Sequence, residues 1–380
     1  MSKLYTKIPP YAIISILTVV STCVLWIPFL FHFQSINGIQ VETPNFQTVL
    51  KHYDGPLYII PAKTLYNIND PLFESHPMGL TTKYFAAHLP LYPLFIKALA
   101  PILGYLKSML TITVFFSIAF FNFFYYFLRK LKITEQPLIL TLVLLFFTPR
   151  LLVVRSVGSS EPLFLFLILA SVFFFIQKKY FFAGILGGLA AMTKTPGILL
   201  FIGYVFWFVE HYIKTRKVEI SWIWILLIPI GLLLVFLLYW QQYGDFFAYF
   251  HSGDNIHLIF PPFSVFNFQK NWVGTAWLEE IVFLYFFYLI SLFTLYHNKL
   301  LRPAFYFALI FFLAAISIQH RDISRYTLPL LPFAAIVYEK FFTSKKFLIT
   351  LIILIPAIYL YAWNFMLYNI APITDWSPFL

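Results

Sequence analysis

Residues 221–241, SWIWILLIPIGLLLVFLLYWQ, form a stretch of 21 residues without a charged side chain. About 20 apolar residues in one α-helix are enough to cross the hydrocarbon layer of a membrane. Similar stretches recur along the 380-residue chain, which is 61% hydrophobic and only 11% charged. Soluble domains carry far more charge, so the sequence predicts an all-α protein whose main solvent is lipid.

The apolar stretches predict a polytopic bundle of about 11 transmembrane helices that forms a single domain over residues 1–380. The predicted crossings are 11–33, 108–128, 136–154, 160–177, 180–193, 197–213, 221–241, 281–297, 303–319, 326–339 and 347–368. We interpret 88–106, which contains prolines and Lys97, as an interfacial or re-entrant segment instead of a crossing. Two long loops on the same side follow from this assignment, at 34–107 and 242–280.

The formal net charge of +11 has a topological explanation. With the N-terminus in the cytoplasm, 15 cations and four acids fall at cytoplasmic helix ends, and 11 of each remain on the other side. An excess of Lys and Arg on the cytoplasmic side is typical of membrane proteins. We therefore expect a multi-pass protein surrounded by membrane lipids, with no nucleic-acid partner. The lysine-rich composition and the lack of a cleavable signal favour a prokaryotic plasma membrane.

The predicted extracytoplasmic side carries the polar motifs. Asp54, the candidate catalytic residue, and Tyr58, a candidate substrate-binding residue, lie in KHYDGPLY, 51–58. A carboxylate at this place is suited to act as a general base toward a hydroxyl, although Asp-Gly and Gly-Pro also favour a simple turn at the start of a helix. His88, a candidate substrate-binding residue, begins HLPLYP, 88–93, although the prolines of that segment favour a structural role.

Three further extracytoplasmic segments place cations at helix ends. They are RSVGSSE at 155–161 with Arg155 and Glu161, TKTPG at 193–197 with Lys194, and HRDISRY at 320–326 with Arg321, Arg325 and Tyr326. A lysine next to unpaired backbone N–H groups suits a phosphate, and Glu161 either binds substrate or complements the helix dipole. Any one cation could be an interfacial side chain reaching water, but three at one depth predict an anion site.

Metal binding has little support in the sequence. No spacing such as HExxH occurs, so we expect no metal or other cofactor, with a divalent ion as the open alternative. The loop HSGDNIH at 251–257 fits either a metal or sugar contact or an ordinary polar loop.

Taken in order, these motifs resemble those of the PIG-V type mannosyltransferases, a family within the GT-C class of polytopic glycosyltransferases. YDGPLY at 53–58 is similar to W-D-x-x-H-Y, with Tyr53 in place of Trp and Leu57 in place of His. The other similar stretches are LPLYPLFIKAL at 89–99 to F-P-L-Y-P-L-L-I-R, SEPLF at 160–164 to S-E-S-L-F, TKTPG at 193–197 to T-R-P-T-G, and RYTLP at 325–329 to R-Y-x-L-P.

The resemblance implies a GT-C-like helix bundle with a long first extracytoplasmic loop. It also implies an inverting sugar transfer from a lipid-phosphate-linked donor to an acceptor hydroxyl, with Asp54 as the base and Arg155, Lys194 or Arg325 at the phosphate. Two other hypotheses stay open: a transporter or flippase of lipid-linked saccharides, which would also use outer cations, and a non-catalytic membrane scaffold.

Overall fold

The computed structural model describes residues 8–41, 45–52, 54–254, 257–267, 269–273 and 278–380, and the backbone alone of Ile39. Tyr53 of the YDGPLY motif, Lys3 and Lys7 among the predicted cytoplasmic cations, and residues 255–256 of the 251–257 loop lie outside these ranges. Within them the regular secondary structure is helical apart from a short antiparallel hairpin, β1 Ser35–Ile36 and β2 Ile39–Gln40.

Seventeen α-helices follow one another in the described part of the chain. The first half contains α1 Pro10–Leu30, α2 Gln47–Leu50, α3 Gly55–Thr64, α4 Leu91–Leu103, α5 Tyr105–Lys130, α6 Pro137–Phe147, α7 Pro149–Val154, α8 Glu161–Ile176 and α9 Tyr180–Thr193. The second half contains α10 Leu199–Thr215, α11 Leu227–Tyr243, α12 Glu279–His297, α13 Arg302–Ile316, α14 Ile323–Tyr326, α15 Leu331–Val337, α16 Glu339–Phe342 and α17 Lys345–Tyr368.

Six helices of the described chain are long and apolar enough to cross a membrane. They are Pro10–Leu30, Tyr105–Lys130, Thr195–Thr215, Ile220–Tyr243, Glu279–His297 and Lys345–Tyr368, where the third and fourth include the 3-10 turns before α10 and α11. The chain is thus an α-helical membrane protein. The other five predicted crossings coincide with shorter helices, so helix length by itself supports six crossings and not eleven.

Proline explains where long predicted helices are divided. The predicted crossing 136–154 is two helices, because Thr148 is extended before Pro149 and the residue before a proline avoids helical geometry. The predicted crossing 326–339 is likewise broken into α14, a 3-10 turn at Leu328–Leu330, α15 and α16, with Pro329 and Pro332 at the first two breaks and Tyr338 at the third. Both predictions of one continuous helix were wrong.

The segment 88–106 contains α4, whose 13 residues extend for about 20 Å at 1.5 Å per residue. That length is shorter than the hydrocarbon layer of about 30 Å. Lys97 donates a hydrogen bond to the carbonyl of Lys63 at 3.1 Å, which ties α4 to the end of α3. The helix ends at Gly104, whose φ of +75° starts a sharp turn into α5.

Glycines allow α9 and α11 to pack backbone to backbone. A Cβ at Gly188 would lie 2.6 Å from the carbonyl oxygen of Leu227, and one at Gly184 would lie 2.1 Å from that of Trp224. On α11, a Cβ at Gly231 would lie 2.5 Å from the carbonyl oxygen of Gly188. The GxxxG spacing of 184–188 is therefore a helix-packing feature.

Contacts between loops form two groups. End A contains Lys63 with Leu380, Lys83 with Asp245, Arg150 with Asp322, Glu161 with Lys194, His52 with Ile370, and Leu258 with Ile318. End B contains Thr134 with Glu339, Lys178 with Glu219, and Glu210 with Arg302. The longer helices α8, α9, α10, α11, α13 and α17 each lead from one group to the other, so the groups lie at opposite ends of the bundle.

Candidate functional site

Four charged residues from distant parts of the chain meet at end A, and we call them the charged cluster: Asp54, Glu161, Lys194 and Arg325. The Arg325 guanidinium forms ion pairs with the carboxylates of Asp54 and, at 2.6 Å, Glu161. The Lys194 ammonium lies 2.7 Å from the same Glu161 oxygen. Two carboxylates and two cations thus alternate, and the cluster is neutral as a whole.

Each member of the charged cluster stands at the end of a helix or in a short break. Asp54 occupies the position before α3 but makes no capping hydrogen bond with its side chain, which contacts Arg325 instead. The interpretation of Asp54 as a helix-start residue therefore describes its backbone and not its carboxylate. Glu161 is the first residue of α8, and Lys194 is an extended residue between α9 and the turn Thr195–Ile198.

The cluster is mostly buried but retains an accessible edge. The side chain of Glu161 is 6% exposed, those of Arg325 and Asp54 are 16% and 17% exposed, and that of Lys194 is 24% exposed. Buried charges are stabilised only when they are paired, which accounts for the alternation. The two cations and Asp54 are therefore the members that a molecule from outside can reach.

Opposing effects determine the protonation of Asp54. Burial alone would raise the pKa of its carboxyl group, but the Arg325 guanidinium beside it lowers the pKa, so that the net result lies below the ordinary value. Asp54 is thus ionised at neutral pH and able to accept a proton.

Two buried histidines flank Asp54. Burial lowers the pKa of both His52 and His88 to about 4, against the attraction of the Asp54 carboxylate, so both imidazoles are neutral at pH 7. Within the described residues, Nε2 of His52 and Nδ1 of His88 have no hydrogen-bond partner. Unpartnered buried polar atoms are uncommon in native proteins and call for an explanation.

Aromatic side chains hold the turn that carries Glu161. The Tyr58 hydroxyl is 2.8 Å from Oγ of Ser160, and its ring packs edge to face with those of His88 and Tyr92. The Tyr92 hydroxyl accepts a hydrogen bond from the backbone N–H of Ser159 at 3.1 Å. Tyr58, predicted to bind substrate, is 5% exposed and contacts the turn instead.

Arg155 lies away from the charged cluster. It is fully buried and donates hydrogen bonds to α1, at 3.0 Å to Oγ1 of Thr22 and 2.8 Å to Oγ of Ser21. The structure does not place it at the predicted anion site: it links the turn 155–160 to the first helix.

The remaining predicted residues lie beside the cluster. Arg321 is exposed, and Tyr326 packs edge to face against His320, with 5.3 Å between ring centres. Neither side chain joins the ion pairs of the charged cluster.

Gly158 was not among the predicted site residues, although the site depends on it. A Cβ there would lie 2.3 Å from the sulfur of Met109 and 2.9 Å from Cα of Gly55. The bare backbone at 158 allows the turn before α8 to approach the start of α3, and this approach brings Glu161 near Asp54. Its position inside the RSVGSSE segment was the only signal in the sequence.

Two acidic residues near the cluster were also missed. Asp322 pairs with the buried Arg150, whose guanidinium lies 3.7 Å from the ring centre of Phe365. Burial raises the pKa of Asp254 to about 6, with a hydrogen bond to Tyr84 opposing and the Asp54 carboxylate adding to the rise. Asp254 thus lies close enough to the cluster to sense its charge. Among the described residues, no three His, Cys, Asp or Glu side chains converge on a common metal position.

No protein-family model matches this sequence, and no curated protein is similar enough to serve as a relative.

Proposed function

We propose that the protein is a glycosyltransferase, similar in its motifs to the PIG-V type mannosyltransferases of the GT-C class, and that it transfers mannose from a polyprenyl-phosphate donor. The observation that carries the proposal is the charged cluster. It brings together four motif residues from positions up to 271 residues apart in the chain: Asp54, Glu161, Lys194 and Arg325. A base and two cations around one accessible edge suit a reaction that releases a phosphate.

The proposed topology has 11 crossings, a cytoplasmic N-terminus and the site on the extracytoplasmic face of a prokaryotic plasma membrane. The two groups of loop contacts support it, because α8 leads from Glu161 at end A to Lys178, which contacts Glu219 at end B. In the same way α10 leads from the segment after Lys194, at end A, to Glu210, which pairs with Arg302 at end B. Among the described residues, the predicted cytoplasmic cations flank end B, in agreement with the usual charge bias.

In the proposed reaction, Asp54 takes the proton from the acceptor hydroxyl while that oxygen bonds to C1 of the donor sugar. The bond from C1 to the phosphate oxygen breaks, and its electron pair leaves on the polyprenyl phosphate. Attack from the face opposite the phosphate inverts the configuration at C1. Lys194 and Arg325 stabilise the charge that grows on the phosphate, which lowers the barrier more than it strengthens substrate binding.

Arg325 links the binding of the donor phosphate to the proton transfer at Asp54. Without a substrate, its guanidinium pairs with Asp54 and lowers the pKa of that carboxyl group. A phosphate that attracts Arg325 weakens this pairing, and the burial of Asp54 then favours its protonated form. Asp54 thus becomes a stronger base once the donor is bound.

The test is sugar transfer by the purified full-length protein in lipid nanodiscs, with polyprenyl-phosphate mannose and a panel of hydroxyl acceptors. Asp54→Asn keeps the size of the side chain but cannot accept the proton, so we expect transfer to fall by about 100-fold or more. The matched control is Asp245→Asn, which removes another end-A carboxylate that pairs with Lys83 outside the cluster.

Full activity in Asp54→Asn would exclude Asp54 as the base. If the wild-type protein transfers no sugar but moves the labelled lipid between leaflets, the flippase hypothesis replaces the enzyme.

A further inference from the structure

His88 is a buried, neutral and incompletely bonded group beside the charged cluster, and it shares these features with His52. His88 is 6% exposed, and Nδ1 of its imidazole has no hydrogen-bond partner in the described part of the chain. Its ring is fixed edge to face against Tyr58, with 4.8 Å between centres, and its backbone carbonyl accepts a hydrogen bond from the Tyr66 hydroxyl. Aromatic packing therefore holds the imidazole, while its Nδ1 is left without a partner in the described residues.

His88 lies close to the charged cluster. Its ring packs on Tyr58, whose hydroxyl lies 2.8 Å from Oγ of Ser160, the residue before Glu161. His52, the other buried histidine, packs instead against Phe365, with 5.8 Å between ring centres, and the same Phe365 ring contacts Arg150. The two histidines are thus held by different neighbours.

The chemistry of a neutral imidazole favours a hydroxyl as its partner. One ring nitrogen donates and the other accepts, and a hydroxyl can do both as well. A phosphate would instead prefer the nearby ammonium and guanidinium groups. In a sugar-phosphate lipid, the sugar ring is bonded directly to the phosphate, so it must lie between the cations and the base.

We propose that His88 forms a sugar subsite: its imidazole hydrogen-bonds a hydroxyl of the glycosyl group that is attached to the donor phosphate. The inference rests on the proposed function. It assigns recognition of the sugar to His88, whereas the cations hold the phosphate. The subsite lets the protein prefer a sugar-carrying lipid over the free lipid phosphate that the reaction releases.

The experiment compares the affinities of polyprenyl-phosphate mannose and sugar-free polyprenyl phosphate for the full-length protein in nanodiscs. Wild-type protein should bind the mannosyl lipid more tightly. His88→Phe keeps the ring that packs on Tyr58 but removes both nitrogens. We expect it to bind the mannosyl lipid about tenfold more weakly, the size of one buried hydrogen bond, with unchanged affinity for the free lipid phosphate.

The matched control is His52→Phe, the same substitution at an equally buried histidine that packs against Phe365 instead of Tyr58. It should leave the preference for the mannosyl lipid unchanged. Equal losses for both lipids in His88→Phe would mean that His88 only supports the structure, and this result would overturn the inference.

A second arm varies the ligand and needs no variant. Lipids that carry 2-, 3-, 4- or 6-deoxymannose are compared with the parent on wild-type protein, and removal of one hydroxyl should cost about tenfold. If every deoxy lipid binds as well as the parent, no sugar subsite exists, although the proposed transfer can still be observed. If wild-type protein binds neither the mannosyl lipid nor the free lipid phosphate, the proposed function itself is wrong.

Discussion

Arg325 is the one residue of the charged cluster that contacts both carboxylates. Its guanidinium lies between Asp54 and Glu161, whereas Lys194 reaches only Glu161. A planar guanidinium presents several N–H donors in fixed directions, so it can serve two acids at once, which an ammonium on a flexible chain does less well. The different partners indicate that the two cations are not interchangeable.

The pH dependence of activity tests the link between Arg325 and Asp54. In Arg325→Gln, the guanidinium no longer lowers the pKa of Asp54, and burial raises it. The reaction needs the ionised carboxylate, so activity falls on the acid side as Asp54 becomes protonated. We expect the acid limb of the pH profile of residual kcat/KM to move to higher pH than in wild type.

The control for this prediction is Lys83→Gln, which removes a cation that pairs with Asp245 at the same end of the bundle. Its acid limb should coincide with that of wild type. An unshifted limb in Arg325→Gln, measured on folded protein, would show that Arg325 does not control the protonation of the base.

At the scale of elements, close helix packing determines where Lys194 is held. The residue directly follows α9, and α9 packs on α11 through Gly184, Gly188 and Gly231. In lipid there is little hydrophobic gain from bringing helices together, so such contacts depend on small residues that let backbones approach. The position of Lys194 therefore depends on glycines that lie far from any reacting group.

Gly188→Val tests this dependence. The added side chain would meet the Leu227 carbonyl oxygen, so α9 and α11 must separate. Overpacking of this kind costs about 1–3 kcal/mol. We expect a lower thermal unfolding temperature in detergent, together with reduced transfer because Lys194 is displaced.

Ile185→Val provides the control, since it introduces the same residue into the same helix at a side chain that is 38% exposed. It should change neither stability nor transfer. Wild-type stability in Gly188→Val would mean that the helices can adjust without cost.

At the scale of the whole molecule, the separation of end A from end B makes the topology testable. The protein has a single cysteine, Cys23, so the Cys23→Ser variant has none. Single cysteines introduced into this variant can then be labelled with a membrane-impermeant maleimide. With the proposed 11 crossings, a cysteine replacing Glu74 is labelled in intact cells. Cysteines replacing Lys132 or Lys217 are labelled only after the membrane is permeabilised.

Lys132 is the decisive position because it follows α4 and α5. If the segment 88–106 crossed the membrane, Lys132 would lie on the same side as Glu74 and would be labelled in intact cells. That result would reverse the side of every later loop and would separate Asp54 from Glu161, Lys194 and Arg325.

The sequence by itself determined that the protein is an α-helical membrane protein, and it also gave the approximate bounds of most helices. For example, the stretch 180–193 was predicted and α9 has the same limits. This success has a simple cause: in lipid each backbone group must be bonded within its own helix, so a continuous apolar stretch is a local and nearly sufficient signal. The motif residues Asp54, Glu161, Lys194 and Arg325 were also found locally, from charge at helix ends.

Only the tertiary structure decided which of those residues meet. It brought Arg325 to Asp54 across 271 residues, directed Arg155 to α1 instead, and left nitrogens of His52 and His88 without partners in the described chain. A sequence position does not fix the direction of a side chain, because that direction depends on how helices rotate and pack against one another. The close approach at Gly158 is of the same kind, since the atoms it must avoid belong to Met109 and Gly55.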